Sequence, residues 1–271
     1  MNRPPATVVS YDRFLARLDA GPAATADRAE DGSATDPGPP DWLWQVIAVL
    51  YDGQDAAAAQ DWALRVHGEL ARSAGRVPFS VVHDWHAHAV APVLAEASAR
   101  RGRPREPQEA VRDLHLRALA GGRVTETEWE AVLEPASRDA YRLAYAWADA
   151  FADAYAGAHA YALANDYGAE RAAEFAGGYA ESNTGANVAS FADGNALAHA
   201  GATAAAWAAA DARAYAETWP FAQVQVCALA WAADGERPTA PEEDGERAER
   251  LRSVYRRLAD GLADALVRAV S

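Results

Sequence analysis

The stretches FADAYAGAHA at residues 151–160 and FADGNALAHA at residues 191–200 are two copies of one pattern, forty residues apart. In so alanine-rich a region the alanine matches follow almost from composition, so the repeat rests on Phe, Asp and His recurring in register. The alternation of alanine from Ala144 to Ala164 has the period of a strand, but alanine favours helices and a strand of that length is rare. We therefore predict an all-α, alanine-rich multi-helix bundle in which two related helices, about 143–163 and 183–203, pack together.

Side chains four residues apart on a helix form one slowly drifting ridge, because each such step turns only about 40° past a full circle. The ridge of the first copy holds Leu143, Trp147, Phe151, Tyr155 and His159, and the ridge of the second holds Asn183, Asn187, Phe191, Asn195 and His199. Asp149 and Asp153 fall on roughly the opposite side, which we interpret as the solvated face.

The two copies differ where the first has Trp147 and Tyr155 and the second has Asn187 and Asn195. Asparagine is mediocre in helices and costly to bury without hydrogen-bond partners, so something should bond these amides. One hypothesis is a polar pocket for a ligand or a partner's side chain, lined by Tyr155, His159, Asn187, Asn195 and His199. The alternative is that the second ridge is exposed, or that the amides satisfy each other.

The rest of the chain is divided by its composition. Residues 1–40 are predicted to be a short helix, from Ser10 to about Ala20, followed by a flexible linker that contains no large apolar residue. Residues 41–271 are predicted to form a single helical domain with shorter helices in 41–135, alanine-rich repeat helices in 136–220 and a capping helix in 247–270. Turn residues at 165–168 and 182–185 divide the repeat region into helices near 137–164, 169–181 and 186–218. Pro135 is expected in the first turn of the helix near 137.

The chain has 271 residues and a formal net charge of −14, from 39 acidic and 25 basic residues. This charge repels phosphate backbones and anionic lipids, so nucleic acid and membrane surfaces are not expected partners. All the basic residues are arginine, a bias that indicates a GC-rich, actinobacterial genome. The start of the chain lacks the apolar run of a signal peptide, and the single cysteine, Cys227, lies in an apolar stretch where its thiol should be inert, so we expect a cytoplasmic protein.

The densest group of metal-ligand residue types is His83-Asp84-Trp85-His86-Ala87-His88. With His67 upstream, the His83-Asp84 doublet is distantly similar to the HD-type phosphohydrolases, which hold a metal through a separate His, a His-Asp doublet and a later Asp. Asp113 is one choice for that Asp, although the upstream spacing is short and Trp85 and His86 replace the usual small residues. No metal and no cofactor is predicted, and His67, His83, Asp84 and His86 are the candidates if one is bound.

From Arg103-Pro104-Arg105-Glu106, through a helix and Gly121-Gly122 into the alanine-rich stretch, residues 100–220 resemble the alanine-rich immunity proteins of actinobacteria. That resemblance implies neutralisation of a cognate toxin by binding it, and it assigns no functional residue. The leading hypothesis is accordingly a non-enzymatic, protein-binding helical protein with a basic partner. The alternative is a small-molecule-binding or metal-dependent helical enzyme that uses the Asn/His ridge or the His83–His88 cluster.

Overall fold

The computed structural model describes residues 10–21, 38–145, 147–233 and 243–270, in which every regular element is a helix. Most of the predicted linker lies outside these ranges, as do residues 234–242. The helices are α1 Tyr11–Asp19, α2 Asp41–Asp52, α3 Ala56–Arg72, α4 Ser80–Trp85, α5 Ala91–Arg100, α6 Glu106–Leu119, α7 Glu126–Ala144, α8 Trp147–Ala164, α9 Ala169–Ala209, α10 Ala212–Glu217, α11 Pro220–Ala232 and α12 Glu243–Val270. The all-α bundle predicted from the sequence is confirmed.

The main core lies where α12 packs against α2, α3 and α4. Its stripe of Val254, Leu258 and Leu262 is fully buried, as the sequence predicts for a capping helix. Two buried indoles donate to backbone oxygens of α12: Trp62 Nε1 to Ala259 O at 2.8 Å and Trp85 Nε1 to Leu258 O at 2.9 Å. Large aromatic rings are thus buried at this helix without losing their N–H hydrogen bonds.

The N-terminal helix α1 docks on this core. Phe14 and Leu18 are almost fully buried, and the Phe14 ring lies 5.3 Å from that of Trp44. Ser10 precedes the helix as predicted but makes no side-chain capping hydrogen bond. Burial of the two apolar side chains therefore holds this short helix in place.

Helices α4 and α5 are joined by a π-helical turn, His86–Val90. The turn adds a residue relative to an α-helical path, and Pro92, which lacks a backbone N–H, follows in the first turn of α5. Gly261 of α12 lies against the turn so closely that an added Cβ would overlap the Cβ of Ala89.

The longest helix, α9, has 41 residues and packs along one side against α8 and α7 in turn. Its contact row consists of small buried side chains at four-residue intervals, including Ala172, Ala176, Ala180, Thr184, Ala192, Ala196, Ala200 and Ala204. Small side chains let helix axes approach closely. Helices α8 and α9, joined by residues 165–168, form an antiparallel pair that we call the hairpin. The prediction that the two repeat-bearing helices pack together is confirmed.

Two predicted boundaries in the repeat region are wrong. No break occurs at 182–185, because the Ser182 and Thr184 hydroxyls and the Asn183 amide donate to carbonyls four residues earlier in the same helix. The helix predicted near 137–164 is instead interrupted, since Tyr145 leaves the helical conformation with ψ 88°. The predicted turn at 165–168 is confirmed.

The helix predicted over 186–218 ends earlier, at Ala209. Ala210 has a left-handed φ of 50°, and the Asp211 carboxylate then caps α10 by accepting from Arg213 N and Ala214 N. Pro135 was also placed wrongly, because it lies inside α7, a helix that begins at a capping box formed by Thr125 and Glu128. Pro135 is exposed, which lets its ring face solvent. Among the described residues, no helix is long and apolar enough to cross a membrane.

Candidate functional site

Phe151, Tyr155 and His159 of the predicted first ridge lie in line on α8, whereas Leu143 lies on α7 before the interruption at Tyr145. The side chain of Trp147 is outside the described part of the chain. The Phe151 ring stacks near Tyr155 with centroids 6.5 Å apart, and Tyr155 stacks near His159 at 5.8 Å. All three side chains are half-buried.

The second ridge satisfies its own polar groups. Asn195 Nδ2 donates to Phe191 O, one turn earlier, at 2.9 Å, and Asn187 is exposed. Both asparagines line a shallow, open depression beside Phe191. His199 is half-buried, with its ring 6.4 Å from that of Tyr141 on α7. The Asn195 amide therefore needs no pocket partner.

The two ridges do not meet. The first copy lies beside the outer part of α9, where the Tyr161 and Phe175 rings are 6.2 Å apart. The second copy faces α7, where Tyr145 and Phe191 are 4.5 Å apart. From Phe175 to His199 the helix advances about 36 Å, at ~1.5 Å per residue. The structure thus keeps Asn187, Asn195 and His199 along one side of α9 and places Tyr155 and His159 beside the outer part of that helix. Of the second ridge, the two asparagines line the open depression, and His199 packs near Tyr141.

The hairpin carries most of the exposed large apolar side chains of the described residues, seven of the ten. The five aromatic ones form what we call the hairpin face: Tyr161, Tyr167, Phe175, Tyr179 and Phe191. Leu163 and Leu197 each follow a buried alanine by one residue and so lie on the opposite flank of the pair. Near the tip the rings contact one another, with Phe175 6.2 Å from Tyr161, 5.7 Å from Tyr167 and 6.3 Å from Tyr179. Beneath them the two helices bury alanine against alanine, so the rings are left outside.

Acidic residues surround the hairpin face. Between residues 150 and 200 the chain has six, Asp153, Asp166, Glu170, Glu174, Glu181 and Asp193, against one basic residue, Arg171. Asp193 is bound at 2.9 and 3.0 Å by Arg138 and Arg142 of α7. The hairpin segment therefore carries a net negative charge, and Arg171 and Glu174 line a depression together with Phe175 and Tyr179.

A second group of functional residue types lies in the interior, where α4, the π turn and α6 bring together three histidines. His83 Nδ1 and His115 Nδ1 are 3.0 Å apart, and His86 Nε2 is 3.1 Å from the Tyr215 hydroxyl. The His86 and His115 rings stack at 4.9 Å. Trp129 and Trp207 enclose the cluster, with Trp207 4.4 Å from His115.

Burial keeps these imidazoles neutral. Desolvation lowers the pKa of His83 to about 4 and that of His86 to about 3, and it lowers the pKa of His115 well below its usual value. In the His83–His115 contact one ring therefore donates an Nδ1–H to the other. His115 Nε2 is buried without a hydrogen-bond partner.

The four metal candidates do not converge. His67 packs against the rings of Tyr11 and Phe14, both at 5.3 Å, and Asp84 is bound by Arg268 of α12. Asp84 also reaches His88 at 3.3 Å, as their helical spacing predicts. The described residues contain no group of three His, Cys, Asp or Glu side chains that could hold a metal ion, so the HD-type arrangement is not formed there.

A cavity of about 90 Å³ lies beside the histidine cluster, between the π turn, α6, α7, α9 and α11. Its polar lining includes His86, Tyr215, Thr203, Gln223 and His199, and its apolar lining includes Trp85, Val111, Leu133, Trp207, Val224, Cys227 and Leu258. His199 is the only one of the five predicted pocket residues that lines this cavity. Cys227 is buried, and desolvation raises the pKa of its thiol to about 12.

Sequence reasoning missed His115, Trp207 and Tyr215. A usable signal existed for His115, because Gln108, Val111 and His115 share one face of α6 and all three are buried. Nothing in the local sequence connects them to Tyr215, which lies 129 residues from its partner His86.

No family model, no curated protein and no solved structure matches this chain. Support for a function therefore comes from the geometry of its own residues.

Proposed function

We propose that this protein is a non-enzymatic binding protein that recognises a second protein through the hairpin face. The observation that carries the proposal is the concentration of exposed rings on one projecting pair of helices. Contiguous exposed apolar surface on a folded protein commonly marks an interaction site. Tyrosine and other aromatic side chains are also the residues that contribute most at the centres of interfaces.

The partner expected for this surface is basic around an apolar centre. The six acidic residues of the hairpin segment favour arginine and lysine at the rim of the interface, and the chain's net charge of −14 would speed the encounter with a cationic protein. A second copy of this chain is disfavoured, because it would bring the same acidic rim against itself.

The resemblance to immunity proteins supports a toxin as the class of partner. An inhibitor of a nuclease-type toxin, for example, would meet a protein surface made positive for binding phosphate. We place this activity in the cytoplasm, where one buried cysteine, Cys227, is compatible with a reducing environment.

The test compares matched surface variants for binding a partner captured from native extract and then purified. Phe175→Ala with Tyr179→Ala removes two rings at the hairpin tip, whereas Leu64→Ala removes an exposed apolar side chain of α3. We expect the double variant to bind at least about tenfold more weakly, since interface aromatic truncations often cost more than 1 kcal/mol each. We expect Leu64→Ala to bind like the wild type.

Circular dichroism of all three proteins serves as the folding control. Equal affinity of the double variant and the wild type, with both folded, would contradict the proposal. Affinity that does not fall as salt is raised would contradict the basic character assigned to the partner.

A further inference from the structure

Among the described residues that line the cavity beside the histidine cluster there is no Asp, Glu or Arg. Two histidines, His86 and His199, are part of the lining. His86 is buried and neutral at physiological pH, because desolvation lowers its pKa to about 3. An ion entering this space would lose its hydration and gain no countercharge, which is strongly unfavourable.

Polar atoms are nevertheless present at one end. The Tyr215 hydroxyl and His86 Nε2 form one hydrogen-bonded pair at 3.1 Å. Trp207, which also lines the cavity and is only 4% exposed, has an indole Nε1–H that is buried without an acceptor. A buried donor left unpaired costs about 1–3 kcal/mol, so an acceptor oxygen reaching this group would relieve an existing penalty.

The size of the cavity limits its occupant. A single water needs roughly 10–15 Å³ of such space, so about 90 Å³ exceeds the need of one or two bridging waters. Waters require several polar partners each, and most of this lining is aliphatic or aromatic. A compact organic molecule suits the space better than a chain of waters.

We propose that this cavity binds a compact, uncharged, mainly apolar molecule of about one ring that carries a single oxygen. The apolar walls of Val111, Leu133 and Val224 would bury its hydrocarbon part. Its oxygen would accept a hydrogen bond from Trp207 Nε1–H. The cavity is bordered by α7 and α9 at the half-buried His199, which is far along α9 from the tip of the hairpin. Binding in the cavity therefore does not depend on the hairpin face.

The test uses three probes of one shape: p-cresol, toluene and p-toluate. Titration of the full chain, followed by amide and indole NMR shifts, should show saturable binding of p-cresol. We expect toluene to bind about 3- to 10-fold more weakly, which is the share of one neutral hydrogen bond. We expect p-toluate, an anion at neutral pH, to produce no saturable shift.

Two variants locate the binding. Ala200→Leu adds volume at a buried lining position, while Ala202→Leu makes the same change at an exposed position of the same helix. The first should abolish p-cresol binding and the second should leave it unchanged. Trp207→Phe should remove the preference for p-cresol over toluene while toluene still binds.

Several outcomes would overturn the proposal. They are an absence of saturable binding of p-cresol at millimolar concentration, binding of p-toluate as tight as that of p-cresol, or unchanged p-cresol binding in a folded Ala200→Leu protein. If Ala200→Leu does not fold, the order of the three probes on the wild type still decides. Loss of partner binding in the hairpin variants would not affect any of these measurements.

Discussion

Three neutral imidazoles occupy the interior where hydrocarbon side chains would ordinarily pack. Each is held by aromatic neighbours, with the His83 ring parallel to Trp129 at 5.9 Å and the His86 ring edge-on to Trp207 at 4.8 Å. Only neutral imidazole tolerates such surroundings, because no carboxylate of the described residues lies near enough to compensate a positive charge on the three rings. At the residue scale the fold is therefore sensitive to acid.

Stability should fall as pH is lowered from 7 to 5. The folded-state pKa of His86, about 3, is below the unfolded value of about 6.5, so the unfolded chain takes up the proton first. The stabilisation is complete above pH ~6.5 and is lost as pH falls toward the folded pKa. Urea denaturation of His86→Gln should show a loss between pH 7 and 5 that is smaller than that of the wild type by about 2 kcal/mol.

The wild-type protein, measured in parallel at each pH, is the control. If His86→Gln and wild type lose the same free energy between pH 7 and 5, His86 is not a neutral buried group in the folded protein.

Cys227 gives a second prediction at the residue scale. Its thiol is buried and its pKa is raised to about 12, so almost no thiolate is present at pH 8. We expect a thiol-specific chromogenic reagent to leave the native protein unmodified and to react with one equivalent after denaturation in guanidinium. Rapid reaction of the native protein would place this residue at the surface.

At the element scale, the close approach of α12 to the π turn leaves no room for an added methyl group. The absence of a side chain at Gly261 lets Ala89 and Trp85 lie against the helix. We predict that Gly261→Ala destabilises the protein by about 1–3 kcal/mol, the usual effect of overpacking a dense core.

Gly245 lies on the same helix with open space around it, so Gly245→Ala is the matched control. It should be neutral or stabilising by up to about 1 kcal/mol, because alanine favours the helix more than glycine. Thermal or urea unfolding of both variants provides the comparison. A stable Gly261→Ala protein would show that α12 does not approach the π turn so closely.

The helices differ in how well their sequence predicts their ends. The turn at 165–168 is formed by hydrogen bonds between neighbouring residues, so the local sequence was enough to predict it. The hydroxyls of Ser182 and Thr184 can bond to carbonyls of their own helix, as they do here, or stabilise a turn that ends it. The local sequence does not decide between the two, so the predicted break at 182–185 was wrong. No Gly or Pro stands beside Tyr145 to signal that the helix is interrupted there.

At the scale of the whole molecule, the repeat predicted that the two helices pack together but not which of their side chains meet. The first copy, on α8, packs beside the outer part of α9, and the second copy, on α9, packs against α7. The two copies therefore contact different helices rather than each other. The cavity likewise forms between residues that are far apart in the sequence, such as His86 and Leu258. Sequence periodicity shows which face of a helix is apolar, but it does not show which helix covers that face.

No helix of the described part of the chain packs over the exposed rings of the hairpin tip. We propose that a basic partner protein binds there, and photo-crosslinking tests this most directly. A photoreactive amino acid would replace Tyr179 in one protein and Leu64 in another, and both would be irradiated in native extract.

We predict one discrete crosslinked species from position 179, competed by excess wild type but not by the Phe175→Ala and Tyr179→Ala protein, and none from position 64. The same crosslinked proteins at both positions, or none at position 179, would contradict a binding role for the hairpin.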